Sequence, residues 1–321
     1  MSSTILISGA GQLGSRYLQG LAHSAKPLKI YVHDFNDKAL LNAEQRWNEV
    51  SNFNNHEVLY ITSLESLPNN IDIVIVATTA NARLSATKSI CSHTEVKYWV
   101  LEKVLAQNED EIDKLLSLIG SINAWVNTPR RLMNWHQDIK SHLDWTNPVN
   151  FSVEGGSWGM ACNTIHFLDL FSWWTGESLK SINVDRLNKH WFESKRTNYW
   201  EISGGLEAKF SKGSIAHINA NQSNNPVLIK VENKYAGSSN YSWLINEAEG
   251  IAISSDGAKI PGSLNLQSEM TAPLIDSILD YGDCKLPLLN ESAELHRVFI
   301  CEMLKHWKNS GNPSAIFVPI T

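Results

Sequence analysis

Two stretches of the chain carry residue types at spacings that can do chemistry. Gly9-Ala10-Gly11-Gln12-Leu13-Gly14 is a three-glycine turn, and much later an apolar run, Tyr98-Trp99-Val100-Leu101, ends in Glu102-Lys103. A turn of the first kind cradles phosphate, and a lysine delivered from a strand end can hold and move a proton. The two together describe a nicotinamide-using enzyme with a built-in proton carrier.

The glycines lie where one periodicity gives way to another. Thr4 to Ser8 reads as a short buried parallel strand, and Gln12 to Ala25 carries Leu13, Tyr17, Leu18 and Leu21 at helical spacing. At such a junction Gly9 permits the tight turn, Gly11 lets the backbone approach a pyrophosphate, and Gly14 lets helix and strand pack closely. The N–H groups at the helix start, around Gln12 and Leu13, would receive the anion. A second strand, Leu28 to His33, ends in Asp34. At about twenty residues beyond the last glycine, an acid accepts hydrogen bonds from ribose hydroxyls and repels a 2′-phosphate. NAD is therefore expected rather than NADP. The bland alternative is a glycine-rich turn that merely packs.

These residues need a sheet to position them. Strands are expected at Glu57 to Ile61, Ile71 to Ala77, Lys97 to Leu101 and Asn123 to Val126, with helices at Asp37 to Asn52, Asn81 to Ser92 and Asn108 to Ile119. That order gives an α/β, doubly wound parallel sheet over residues 1–126. Ligands in such sheets bind beyond the carboxyl ends of the strands. The positions of interest are therefore the glycine turn, Asp34, Thr78 to Asn81, Glu102 with Lys103, and Asn127 to Arg131. Residues 127–321 follow a different grammar. Helices read at Arg130 to Leu143, Cys162 to Trp174, Thr271 to Tyr281 and Ser292 to Asn309. Alternating runs read at Val149 to Glu154, Ile182 to Leu187, Tyr199 to Phe210, Ser214 to Ala220, Val227 to Glu232, Tyr241 to Ile245 and Ile251 to Ser254. This is an α+β domain with a large, mainly antiparallel sheet.

Composition excludes several classes. The 321 residues are too many for one typical core, and a net charge of −6 without a basic cluster argues against nucleic acid. Cys91, Cys162, Cys284 and Cys301 are widely spaced, so neither a disulfide framework nor a metal site is expected. No leader and no apolar stretch long enough to cross a bilayer is read, so a soluble cytoplasmic protein is expected.

The glycine turn, Ala77-Thr78-Thr79, Leu101-Glu102-Lys103, Asn127-Thr128-Pro129-Arg130-Arg131 and Cys162-Asn163-Thr164-Ile165-His166-Phe167-Leu168-Asp169-Leu170 together resemble the glucose-fructose oxidoreductase / inositol dehydrogenase / MocA family. The resemblance spans essentially the whole chain. It implies a Rossmann domain followed by an open-faced sheet domain, NAD(P)-dependent oxidation or reduction of a sugar, polyol or related carbonyl compound, and assembly as a homodimer or homotetramer. Trp158 to Gly176 and the closing Val318-Pro319-Ile320-Thr321 look most like members tied to surface-polysaccharide sugar biosynthesis. By the same resemblance Lys103 and His166 share the acid/base work, Thr79 and Asn81 line the nicotinamide side with Thr78, and Glu102 orients Lys103 or its loop beside the cofactor. The bland readings are a solvated lysine at a strand end and a satisfied core histidine.

Two departures from the family pattern stand out. Cys162 occupies the place, one turn before the histidine, where many members carry a carboxylate; Asn163 is adjacent but points about 100° round the helix. Asp169 can orient the histidine or serve the helix. Val104 replaces the family's proline, which removes a fixed φ after the lysine and the residue type that best accepts a cis bond. Arg130 and Arg131 offer forks for an anionic substrate group, with ion pairing as the alternative. Among the twelve tryptophans, Trp135, Trp158, Trp191 and Trp200 fall in the substrate half, where an indole can stack on a sugar; core packing is the plainer explanation for each. The reading is an NAD-dependent sugar or nucleotide-sugar oxidoreductase. The alternatives are a dinucleotide-binding sensor without turnover and a reductase of a non-sugar carbonyl or imine.

Overall fold

The computed structural model describes residues 2–50, 55–120, 123–143, 146–233 and 241–321. Six strands, β1 (Ser3–Ser8), β2 (Leu28–His33), β3 (Glu57–Ile61), β4 (Asn70–Val76), β5 (Glu95–Glu102) and β6 (Ala124–Asn127), alternate with helices α1 (Gln12–Leu21), α2 (Asp37–Asn48), α3 (Ala80–Cys91) and α4 (Glu109–Ile119). Every pairing is parallel and the order is β3-β2-β1-β4-β5-β6. The central strands are apolar on both faces, with Ile5, Leu6, Ile7, Ile73, Val74, Ile75 and Val76 all fully buried. Helices covering both faces of a parallel sheet require this. Asn36 caps α2 by accepting from Lys38 N at 2.9 Å; the last two residues of the helix expected to reach Asn52 lie outside the described residues.

The chain continues through α5 (Asn134–His142), β7 (Val149–Gly155), α6 (Met160–Thr175), β8 (Leu179–Leu187), β9 (Phe192–Glu193), β10 (Trp200–Glu201), β11 (Gly204–Phe210), β12 (Ile215–Ala220), β13 (Leu228–Asn233), β14 (Tyr241–Asn246), β15 (Ile251–Ser254) and β16 (Lys259–Pro261), and closes with α7 (Gln267–Tyr281) and α8 (Leu289–Asn309). Eight of these strands form one sheet, β16-β15-β14-β13-β7-β12-β11-β8, antiparallel except for β12 beside β7. Burial alternates along β12 and β13, so one face of the sheet is covered and the other open. On the covered face Phe151 of β7 stacks on Phe171 of α6 with ring centroids 4.1 Å apart.

Residues pack into two compact units, 1–106 with 110–127 and 265–290, and 107–109 with 128–264 and 291–321. The first unit's leading stretches end at residue 127, and α7 returns to that unit. The reason is Gly20 of α1, where a Cβ would lie 2.5 Å from Ser268 O and 2.6 Å from Thr271 Cβ. Only a glycine lets α7 approach α1 so closely. Among the described residues no helix is long and apolar enough to cross a membrane.

Candidate functional site

In the first unit the glycine turn has the geometry its spacing predicts. Gly9 sits at φ +96°, and a Cβ on Gly14 would lie 1.8 Å from Gly9 O, so both positions demand glycine for internal reasons. A Cβ on Gly11 would meet nothing within 4 Å. Protein packing does not require a glycine there, and the backbone at this position is open to approach. Asp34, half-buried at the end of β2, accepts from Ala10 N at 2.8 Å through Oδ2 and from Asn36 N at 2.9 Å through Oδ1. One carboxylate thus braces the turn while keeping lone pairs for further donors. Gln12 accepts from Arg46 Nη2 at 2.6 Å, and Arg46 also bonds Ser15 Oγ. Nothing in the sequence marked Arg46 for this, because it reaches back from another helix.

Thr78 and Thr79 follow β4, and Thr79 Oγ1 donates to Asn81 Oδ1 at 2.7 Å. The Thr78 hydroxyl is buried and has no hydrogen-bond partner among the described residues. An orphaned hydroxyl beside a glycine turn with an open Gly11 fits a bound dinucleotide.

Lys103 is half-buried, not exposed, at the end of β5. The chain on either side of it is tied down. Before it, Glu102 accepts from Tyr17 Oη and from Asn127 Nδ2, the latter at 2.7 Å. After it, Arg83 of α3, 1% exposed, donates to the carbonyls of Val104 and Leu105 and, at 2.5 Å, to that of Thr78. The Lys103–Val104 peptide is cis despite the loss of proline. Sequence reading gave Arg83 no role. Its signal was its place on the same helical face as Ala80, Thr87 and Ile90, all buried.

In the second unit α6 is buried along most of its length. Its open stripe near the start consists of Gly159, Cys162, Asn163 and His166, which are neighbours at helical spacing. His166 therefore stands on the accessible face, not in the core. Cys162 Sγ donates to Thr321 O at 2.6 Å. The first turn has no acid of its own; Glu201 of β10 accepts from Ala161 N at 2.8 Å and Cys162 N at 3.3 Å. Asn163 Nδ2 donates to Trp158 O at 2.8 Å, and the Trp158 indole donates to Asn219 O at 3.1 Å while packing edge-on against Phe167.

The two arginine forks are filled from within. Arg130 pairs with both oxygens of Glu247 at 2.8 Å, and Arg131 with Asp169 at 2.5 and 3.1 Å. Ion pairing, the alternative to substrate binding, is what the geometry gives these groups. Asp169 serves Arg131, and burial pushes its carboxyl up against the pull of that guanidinium. Burial works to raise Glu247 too, but Arg130 and His136 outweigh it and hold the carboxyl at about 2. Trp135 is fully buried against Gly262, and Trp191 and Trp200 pack on Trp307, which leaves Trp158 as the tryptophan beside the open stripe.

A six-stranded parallel sheet of this order followed by an eight-stranded, open-faced mixed sheet defines the architecture. No protein-family model matches the chain, and no curated protein matches it in sequence. Solved structures share the fold over nearly its full length. They include UDP-N-acetylglucosamine 3-dehydrogenase GnnA from Acidithiobacillus ferrooxidans (11% identity, 97% of this chain and 98% of that one, TM-score 0.69). Another is scyllo-inositol dehydrogenase from Lactobacillus casei with bound NAD(H) and scyllo-inositol (13%, 94% and 95%, TM-score 0.65). A third is an oxidoreductase from Agrobacterium radiobacter in complex with NAD+, L-tartaric acid and magnesium (12%, 99% and 98%, TM-score 0.70). These are the kinds of protein that the sequence resemblance names, and at such identities they show the shared architecture.

Proposed function

We propose that the chain is an NAD-dependent oxidoreductase that moves a hydride between nicotinamide and the hydroxyl or carbonyl carbon of a sugar or nucleotide sugar. The observation that carries this reading is the contrast within the glycine turn: Gly9 and Gly14 are explained by the protein itself, whereas Gly11 has no such internal reason and leaves its backbone open to a ligand. The cofactor supplies the hydride acceptor, or the donor in the reverse direction. Asp34, Thr78, Thr79, Asn81 and the N–H groups of residues 11–14 would hold it. Lys103 holds the substrate hydroxyl and takes its proton, and His166, on the open stripe of α6, shares that task. Trp158 and Asn163 contribute to the sugar-binding surface. The substrate belongs with sugars used for surface polysaccharides, the enzyme acts in the cytoplasm, and the open sheet face pairs with a second copy.

The test is a titration with NAD followed by absorbance at the nicotinamide band over a panel of sugars and nucleotide sugars. Lys103→Ala is expected to keep NAD affinity and lower turnover by on the order of 10²-fold. Unchanged turnover would remove Lys103 from the chemistry. The second reading, a dinucleotide sensor, is favoured by one observation: Cys162, in place of a carboxylate, spends its thiol on Thr321 O. NAD that binds and that no sugar reduces would support it.

A further inference from the structure

Glu102 is a carboxylate at 3% exposure whose hydrogen bonds converge on a single oxygen. Oε1 accepts from the Tyr17 hydroxyl and from Asn127 Nδ2. Asn127 is the register partner of Glu102 across β5 and β6, and it also donates to Gln267 Oε1 at 2.8 Å. Gln267 opens α7, and α7 packs on α1 at Gly20 and Thr271. Tyr17 is itself on α1. The bonds and packing contacts therefore form a closed ring: α1, β5, β6, α7 and back to α1.

Burying a charged carboxylate is costly unless its bonds compensate, and a neutral side chain would fill a strand end without that cost. The ring makes sense through what it joins. At one side is the helix that Gly11 caps and that carries Gly14 in its first turn; at the other is the residue immediately before Lys103. Tyr17 is suited to the junction. Burial first, and then the Glu102 charge, hold its phenol well above the ordinary value, so it remains a donor wherever the protein is folded. Arg83 and Cys284 are the other ionisable groups that act on it.

We infer that Tyr17 and Asn127 are positioning residues which, through Glu102, fix the pose of Lys103 to the helix that receives the cofactor's pyrophosphate. This rests on the reading of Lys103 as the proton carrier. Neither residue touches the reacting atoms; each acts by holding the peptide that presents the lysine.

The experiment compares Tyr17→Phe, Glu102→Gln and the double variant in NAD affinity, in turnover on the sugar found by the panel, and in the rate at which an amine-acylating reagent modifies Lys103 in the NAD-saturated protein, read by peptide mass spectrometry. Tyr17→Phe keeps the buried ring. It should bind NAD within about twofold of the wild type, lose about tenfold to a hundredfold in turnover with a smaller change in KM, and change the acylation rate of Lys103 severalfold. The double variant should be no slower than Glu102→Gln alone, because both changes break one linkage. Asn127→Ala removes the other donor to the same oxygen and should show the same split if Tyr17→Phe does not fold. Wild-type turnover and wild-type acylation in Tyr17→Phe would overturn the inference, as would additive losses or a fall in melting temperature alone. Absence of NAD binding in the wild type would instead sink the functional reading. If NAD binds and no sugar turns over, the acylation rates still decide.

Discussion

At the scale of single residues, the three glycines of the turn answer differently to an added methyl. Gly14→Ala places a methyl 1.8 Å from Gly9 O, whereas Gly11→Ala places one in open space. The expected outcome is that Gly14→Ala unfolds or fails to accumulate, while Gly11→Ala melts like the wild type yet binds NAD at least about tenfold more weakly, a penalty of about 1.4 kcal/mol. Calorimetric titration alongside thermal melts checks both halves, and normal NAD affinity in Gly11→Ala would contradict the site. The placement of the glycines and Asp34 at strand ends was legible because it depends on local spacing alone. Arg83 and Arg46 were not, since each acts on a carbonyl or side chain brought near only by the folded sheet. Nor could sequence show that Glu247 and Asp169 fill the forks of Arg130 and Arg131, because the partners lie far away along the chain.

At the scale of elements, the crossing of α1 and α7 is the contact most sensitive to a small change. Gly20→Ala inserts a methyl 2.5 Å from Ser268 O, so the helices must part. The expected cost is about 1–3 kcal/mol, seen as an earlier urea midpoint, and an unchanged midpoint would mean that the helices give way freely. Strands such as Leu28–His33, Glu57–Ile61 and Ile251–Ser254 were legible to the residue because alternation or apolar runs end sharply there. Two longer readings were broken by local geometry. The helix expected from Arg130 to Leu143 is a 3-10 turn, Pro129–Leu132, then α5, with Met133 extended between them. The run Tyr199 to Phe210 is broken at Ile202 and Ser203, between β10 and β11, and β11 opens on Gly204 at φ +111°. The two-residue strands β9 and β10 are too short to show a period.

At the scale of the whole molecule, acid should be the weak point. Burial lowers His136 from the ordinary 6.5, so the unfolded chain takes up that proton first and stability falls as pH drops below about 6.5. Glu247, held at about 2 against an ordinary 4.5, contributes fully above about 4.5 and loses its contribution as pH falls towards 2. That second loss is roughly 3 kcal/mol. Urea midpoints measured from pH 7 down to pH 3 should decline through both windows, and Glu247→Gln should flatten the lower one. A flat profile in the wild type would show that the buried cluster is not under this strain. The α/β-then-α+β grammar was legible over the whole length, whereas the return of α7 to the first unit was not: helical periodicity says which face is apolar but not which partner it meets.

That return has a consequence for synthesis on the ribosome. The first unit is encoded in separated stretches, and the one that covers Gly20 of α1 spans residues 265–290. The early strands leave the exit tunnel long before their last helix is translated, and until then α1 presents a bare flank. Fragments that stop short of residue 265 carry that same unfinished surface, so dissecting this protein by simple truncation would yield pieces with a bare helix flank, not an autonomous first unit.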